Sequence, residues 1–521
     1  MIRPRPSDLA APLATGLVVL LVVLWARTGA PVGVYIDDGF YAILGRALAT
    51  GHGLRYLGWP GAPAPAHYPP GYPLVLSLLW RIGGSLDAVS RWGGRLNAAC
   101  LGLATAAVAT VLLVRFRVRP WLAALAAILG AVATPVLAVT TLLLSEATFL
   151  LLLVATLAAA ERSAVEPPGL GWAVGAGVLA GLATLVRAVG LAALIAVIAV
   201  ALLQRRWRAA LAALLGGLVV LGPWLAWSTT QSHSGFGPLE ASYGSYAGFY
   251  VDAVRSNGPG FVIAVLKRNL VAIFEIFAAL FAVLGREWAR WVAAGGVIVA
   301  LGLAARPVWR KLPVVAAFLV LYLAVIVCWP YDPSRFVWGV WPLVIGVLAV
   351  GAAEAVSRLR AGGWQKPGVA AAVAMIGLAT IGYARTTAHG LAVRGWEPSQ
   401  AVSGVRALAI ADWVSAHTRS DDVIATRFDP LVYLYSGRRA VPVAMTRASD
   451  YVGPLDGSQA TTDLQAILVY YRPAYLVLPG VGTDLAPRVA ALLRSDSVGV
   501  SPAADLVGGQ AVLALRWPAA R

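Results

Sequence analysis

Between residues 10 and 384 the chain is dominated by long apolar runs, and runs of this kind leave a backbone few choices. About 20 mostly apolar residues cross the ~30 Å hydrocarbon core as a helix, and inside lipid every backbone N–H and C=O must find its partner within the protein. The runs lie at 10–34, 93–114, 120–139, 141–160, 170–186, 188–203, 209–230, 289–305, 312–329, 337–356 and 367–384. They predict a polytopic α-helical membrane protein of about eleven spans. Only 12% of the residues are charged and 59% are hydrophobic, against about 25% charged in an ordinary soluble domain, which excludes a soluble enzyme and a disordered tail protein. The first run is read as a membrane anchor rather than a cleaved signal, because it is long and the polar segment behind it needs a hold on the membrane.

The net charge of +17 comes from 41 basic residues, of which three are lysines. On a soluble chain that excess would suggest nucleic acid; here the arginines punctuate the spans and report sidedness. With a cytoplasmic N-terminus, Arg3, Arg5 and the loops RFRVR (115–119), ERSAVE (161–166), QRRWR (204–208), RPVWRK (306–311) and SRLRAGGWQK (357–366) hold 15 basic residues against four acids, Asp8, Glu161, Glu166 and Glu354. The predicted location is the cytoplasmic (inner) membrane, with a first large external loop at 35–92 and a second external segment at 231–288. Residues 395–521 carry 11 basic and 11 acidic side chains. There, β-like runs (DVIAT 422–426, AYLVL 474–478, AVLAL 511–515) alternate with amphipathic stretches at 403–417, 460–471 and 484–494. This pattern predicts a small extracytoplasmic α/β domain behind a multispan domain of residues 1–394. Cys100 and Cys328 fall in apolar runs, so no disulfide framework is expected.

The most informative segment is 35–79. Asp37 and Asp38 come directly after the first span, and Phe40, Ile43, Leu44, Ala47 and Leu48 follow at helical spacing, as in an interfacial helix. Acids at that position favour the helix N-terminus, and a carboxylate held by capping is also an oriented one. Two like charges this close should push one pKa upward. Downstream lie His67 and Tyr68, then Pro69-Pro70-Gly71-Tyr72-Pro73-Leu74.

An acidic pair with Tyr41 three residues on, a small-residue helix ending in Gly51-His52-Gly53, and the later Pro-Pro-Gly-Tyr-Pro-Leu resemble the first external loop of GT-C glycosyltransferases, most of all the protein O-mannosyltransferase and aminoarabinose transferase branch. The resemblance extends more weakly through TLLLSEATFLLLL (141–153), TLVRAVGL (184–191) and YDPSRFVWGVWPLV (331–344). It implies a polyprenyl-phosphate-linked sugar donor, an extracytoplasmic acceptor (protein, lipid or glycan) and transfer with inversion. Asp37 then stands at the family's catalytic carboxylate and Asp38 where Glu is common. His67 and Tyr68 occupy positions where relatives carry Lys before Pro-Pro, a departure that touches phosphate binding.

The residues also speak for themselves. A hydroxyl acceptor needs a base, for which Asp37 is the first candidate and Asp38 the second, and a departing lipid phosphate needs cationic or hydrogen-bonding partners. Arg187, between two apolar runs, is a functional candidate by default; the plain alternative is a residue in an external turn. Arg335, in YDPSRF, is tolerated at an interface whatever its function. Glu146, in a Leu-rich stretch, is expected to pair with Arg187 or Arg335. In the second external segment, Tyr243, Tyr246 and Tyr250 would share one face of a helix, and Lys267 and Arg268 could reach lipid phosphate or simply snorkel. Arg438 and Arg439 could meet an anionic acceptor or stay solvated.

No P-loop, His-Glu-x-x-His or Cys-x-x-Cys motif is present, so no cofactor and no dedicated metal site are expected; weak divalent binding at Asp37 and Asp38 stays open. The competing classes are a multispan lipid or solute transporter, which would more often show inverted repeats, and a non-catalytic scaffold. Neither explains the acidic, proline-rich first loop.

Overall fold

The computed structural model describes residues 6–518 apart from 66, 166–168, 232–234, 245, 363–366, 454–456 and 481. Arg3, Arg5, Glu166 and Lys366 of the charge count lie outside the described residues, as do the side chains of Asp8 and Tyr246.

Seven helices are long and apolar enough to cross a membrane: Leu9–Ala26, Leu86–Phe116, Glu146–Val165, Trp207–Thr230, Glu287–Lys311, Trp341–Arg360 and Pro367–His417, the last with a turn after Ala392. Pro120–Ala131 and Thr134–Thr140 form an eighth unit bent by 61°, at the place where Pro135 forbids a continuous helix. Three shorter apolar helices, Leu170–Val186, Ala188–Leu203 and Pro313–Cys328, complete the set. Small residues let these helices approach: a Cβ on Gly16 would lie 2.6 Å from Gly102 O, and one on Gly102 would lie 2.7 Å from Gly16 O. The outward faces carry exposed Leu17, Leu215, Val219, Val320 and Ile381, an apolar surface suited to lipid. The chain is a multi-pass membrane protein.

Loop contacts sort the bundle into two ends. Lys311 Nζ donates to Arg115 O (3.0 Å), the Val314 amide donates to Glu161 Oε1 (2.8 Å), and Arg206 donates to Ser163 O. The arginine-rich loops therefore gather at one end. The acids and arginines of 37, 146, 187 and 335 meet at the other, as the alternation of spans requires.

Two sequence expectations are corrected. The segment 231–288 is no simple loop: it holds helices Tyr246–Asn257 and Gly260–Phe281. The second of these packs against Glu287–Lys311, Pro313–Cys328 and Pro367–Ala392, its apolar faces outvoting Lys267, Arg268 and Glu275. Tyr243 and Tyr250 do not share one helical face, because the helix is interrupted after Tyr243. Tyr243 ends the turn Glu240–Tyr243, whereas Tyr250 sits on the next helix, stacked 5.9 Å from Trp329.

The last part of the chain is a five-stranded sheet, β1 (Val423–Ala425), β2 (Arg439–Val441), β3 (Tyr475–Pro479), β4 (Gly499–Leu506) and β5 (Gln510–Arg516), ordered β2-β1-β3-β5-β4. β1, β3 and β5 are the three apolar runs of the sequence. β2 has only three residues, and β4 is a largely exposed edge containing Pro502, so neither carries a clear signal. The sheet domain clasps the segment between the first two long helices: Ala440 N donates to Gly58 O (2.8 Å), Trp59 Nε1 to Asp429 Oδ2 (2.8 Å) and Val32 N to Tyr435 Oη (3.1 Å). Gly33 has no room for a side chain there, since a Cβ would lie 2.8 Å from that of Leu431.

Candidate active site

Helix Asp37–Ala49 begins at an unusual joint. Ile36 has φ 69° and ψ −64°, and Asp37 N donates to Tyr35 O at 2.9 Å. This is a γ-turn of the rarer positive-φ kind, costly for a β-branched residue. Asp38 holds the approach to it, accepting hydrogen bonds from the amides of Gly33 (2.8 Å) and Tyr35 (3.0 Å) while only 1% exposed. The turn thus sends two adjacent carboxylates opposite ways, Asp38 back into its own loop and Asp37 toward Tyr68 and Arg335 at a partly exposed site, here called the cleft.

In the cleft, Asp37 Oδ2 accepts from Arg335 Nη1 at 2.5 Å. Arg335 Nε donates to Glu146 Oε1 (2.8 Å), and Arg187 Nη1 reaches the same oxygen (2.8 Å) and Ser145 Oγ (3.3 Å). Tyr41 Oη lies 3.3 Å from Ser145 Oγ. Each charge is delivered by an element end. Glu146 opens a span, Arg187 stands in the turn between Leu170–Val186 and the next helix, and Arg335 sits on the short helix Ser334–Gly339. Side-chain exposure rises from 3% for Glu146 and 11% for Arg187 to 21% for Arg335 and 28% for Asp37. Glu146 and Arg187 therefore form a floor, and Asp37 and Arg335 an accessible lip. Glu146 Oε2 is buried with no hydrogen-bond partner among the described residues. Two carboxylates and two guanidiniums balance each other, so the network as it stands carries no net charge.

Tyr68 donates to Asp37 Oδ1 at 2.5 Å. It belongs to an aromatic wall with Phe40, Tyr41 and Tyr56, their ring centroids 5.6–6.1 Å from its own. Burial works to raise the Asp37 pKa, but the Arg335 guanidinium and the Tyr68 hydroxyl outweigh it and hold the carboxyl below its usual value. Asp38 goes the other way, pushed up to about 6, first by burial and against its backbone hydrogen bonds; the repulsion from Asp37 expected from sequence is a minor contributor.

Five of the nine residues singled out from sequence, Asp37, Tyr68, Glu146, Arg187 and Arg335, are joined in this one network. The other four stand apart. Asp38 is spent on backbone amides. His67 is buried, with Nδ1 2.6 Å from Tyr243 O, and burial lowers its pKa to about 4, so at neutral pH it is an uncharged packing residue rather than a phosphate-binding cation. Arg268 donates to the carbonyls of Pro330 (2.8 Å), Tyr331 (2.7 Å) and Tyr451; it braces the loop leading to Arg335. Lys267 is exposed on the neighbouring helical position. Arg438 likewise is committed to the carbonyls of Ser436 (2.9 Å) and Thr418 (3.0 Å). Sequence reading used Tyr41 only as part of a motif and passed over Ser145 and Tyr35, whose ring lies 5.1 Å from the Arg335 guanidinium carbon. All three lie within three residues of a chosen one, Ser145 beside Glu146 and the two tyrosines on either side of the acidic pair, so proximity in sequence was the available signal. Among the described residues no group of three or more His, Cys, Asp or Glu converges on a metal position, and Asp37 and Asp38 do not present their oxygens to a common point.

The profile of the dolichyl-phosphate-mannose-protein mannosyltransferase family matches residues 67–227. No match was found among curated protein sequences. Solved structures are similar over nearly the whole chain. ArnT from Cupriavidus metallidurans bound to undecaprenyl phosphate superposes with a TM-score of 0.53 at 17% identity, covering 96% of this chain and 97% of that one. The Archaeoglobus fulgidus oligosaccharyltransferase tethered to an acceptor peptide gives a TM-score of 0.55 at 12% identity, over 92% of this chain and 70% of that one. The archaeal oligosaccharyltransferase AglB from the same organism, in complex with an inhibitory peptide and a dolichol-phosphate, gives 0.51 at 13%.

Proposed function

We propose that this chain, whose fold is that of the GT-C superfamily and of the ArnT and protein mannosyltransferase type, transfers a sugar from a polyprenyl-phosphate donor to an acceptor hydroxyl outside the cytoplasmic membrane, with inversion. The observation that carries the reading is the Asp37–Arg335–Glu146–Arg187 network, partly exposed at the end of the bundle away from the arginine-rich loops. It supplies a carboxylate to take a proton and guanidiniums to receive a phosphate.

In this reading the acceptor oxygen attacks the anomeric carbon and its proton passes to Asp37. The bond from that carbon to the phosphate oxygen breaks with its electron pair, and the departing lipid phosphate is met by Arg335, with Arg187 behind it. Arg335 spans both halves of the reaction because it holds Asp37 through Nη1 and Glu146 through Nε. A donor phosphate that draws Arg335 toward itself weakens its hold on Asp37 and raises the basicity of that carboxylate. Donor binding thereby readies the base. Tyr68 fixes the other carboxylate oxygen, leaving the free lone pairs of Asp37 to face the acceptor.

The test is incubation of the purified protein with a panel of polyprenyl-phosphate sugars, scoring free polyprenyl phosphate and transferred sugar. The wild type is expected to turn over at least one donor and Asp37→Asn to be slower by about 10²–10⁴-fold, both remaining folded. Full activity in Asp37→Asn would sink the mechanism. Solute uptake into proteoliposomes without donor cleavage would return the chain to the transporter class.

A further inference from the structure

Away from the acidic cleft, a cavity of about 690 Å³ runs between helices Pro120–Ala131, Glu287–Lys311, Trp341–Arg360 and Pro367–Ala392. Its walls are apolar and built largely from small residues, among them Ala126, Ala300, Ala349, Ala352 and Ala379. The one threonine in it, Thr380, already donates to Ile376 O at 2.8 Å. From Ile345 to Arg360 the groove follows its helix for roughly 22 Å, most of one hydrocarbon core.

The two ends differ. One is shut by aromatic rings: Trp341 Nε1 donates to Tyr383 Oη (2.8 Å), that hydroxyl donates to Leu129 O (2.8 Å), and Phe281 stacks on Tyr383 at 4.6 Å. The other end opens among Arg117, Arg119 and Arg360. All three are exposed, and none makes an ion pair with a described residue. The N-terminus of helix Pro120–Ala131 opens at the same mouth and adds its dipole. Arg335 precedes helix Trp341–Arg360 and Arg360 ends it, so this mouth lies at the opposite end of the bundle from the cleft, on the side that carries the arginine-rich loops.

We infer that this groove is a binding site for an anionic phospholipid of the leaflet on the side of the arginine-rich loops, with one acyl chain between the helices and the phosphate on Arg117, Arg119 and Arg360. An apolar slot closed at one end and ringed by uncompensated guanidiniums at the other matches a ligand with a single charged head and a long apolar tail. Arginine pockets between spans recognise acidic headgroups by this chemistry. The donor lipid is a poorer fit, since its phosphate must reach Arg335, beyond the aromatic plug. The site gives the loop arginines a second use beside setting topology, and it is independent of the sugar-transfer reading.

Native mass spectrometry of the full-length protein, taken from mild detergent after incubation with vesicles of phosphatidylethanolamine and phosphatidylglycerol, tests it. The expected result is selective retention of phosphatidylglycerol. The triple variant Arg117→Gln, Arg119→Gln, Arg360→Gln should lower that retention roughly 10- to 100-fold. Because removing arginines can also disturb topology, a second variant, Ala352→Phe, fills the slot and leaves every charge in place. It should lose the lipid while keeping the wild-type melting temperature in detergent to within a few degrees. Equal retention of the zwitterionic lipid by the wild type, anionic retention unchanged in Ala352→Phe, or displacement of the bound lipid by an equimolar polyprenyl phosphate would each overturn the assignment.

Discussion

Asp37 and Asp38 are neighbours in sequence with the same side chain, yet they belong to two different regions. Asp37 is part of the cleft, 28% exposed and held by a guanidinium and a phenol from distant elements. Asp38 is part of the loop that leads there, 1% exposed and held by amides three and five residues away. The backbone joint at Ile36 creates the difference. A carboxylate serves chemistry or architecture according to what it faces, and a pair of acids read as a unit in sequence divides the two tasks.

The sharpest way to break this comparison is to neutralise each acid in turn. Asp37→Asn should lower the rate of donor cleavage by about 10²–10⁴-fold with little change in melting temperature. Asp38→Asn should keep activity within a few-fold. Equal losses in both variants would show that the loop and the cleft act as one.

Next in size is Arg335→Lys, which keeps the charge but cannot hold Asp37 and Glu146 at once. We expect a fall of about 10²-fold in kcat/KM, measured on the same donor. An unaffected enzyme would mean that the bridge between the two acids is incidental.

A smaller effect, about tenfold, is expected for Tyr68→Phe. Losing the hydroxyl lets the Asp37 pKa rise, so the acid limb of the kcat/KM profile should move to higher pH. A limb that stays in place would separate Tyr68 from the base.

The remaining effects are on stability rather than on rate, and they differ in sign. The folded-state pKa of His67 is lowered to about 4 from 6.5; its contribution is present above pH 6.5 and is lost as pH falls toward 4, a matter of ~3 kcal/mol. Asp38 is raised to about 6 from 3.8, so it penalises the folded state increasingly as pH rises from 3.8 to 6. Melting temperatures against pH should therefore lose their acid decline in His67→Phe and lose the opposing slope in Asp38→Asn. Parallel curves for both variants and the wild type would refute the two assignments.

Much of this arrangement was legible in the sequence because lipid makes polar residues conspicuous. Glu146 and Arg187 stand out of apolar runs, and Arg335 out of a short interfacial motif, for the same reason: each is expensive unless partnered. The apolar runs themselves mark where the helices lie, with ends displaced by up to eight residues, as for the run 10–34 against helix Pro6–Ala26. What the sequence could not display is partnership across 298 positions, the distance from Asp37 to Arg335. It also could not display which way a side chain leaves its backbone, and that alone separates Asp38 from Asp37. For His67 the sequence left a structural and a phosphate-binding reading side by side, because its pKa depends on the rings folded around it. Helix Gly260–Phe281 was hidden by Lys267, Arg268 and Glu275, which break its apolar pattern in sequence but find room at its surface. The slot beside Ala352 left no trace, since a row of alanines reads equally as close packing or as space.

The clasp between the sheet domain and the first loop has a further consequence for how the molecule comes into being. Val32 is held by Tyr435, 403 residues later, and Trp59 by Asp429, 370 residues later. A nascent chain halted before residue 429 would already carry Asp37, Glu146, Arg187 and Arg335, but not the support that fixes the loop at Ile36. The cleft is thus among the last features completed during synthesis, and a half-made protein would hold its reactive groups without the frame that aligns them.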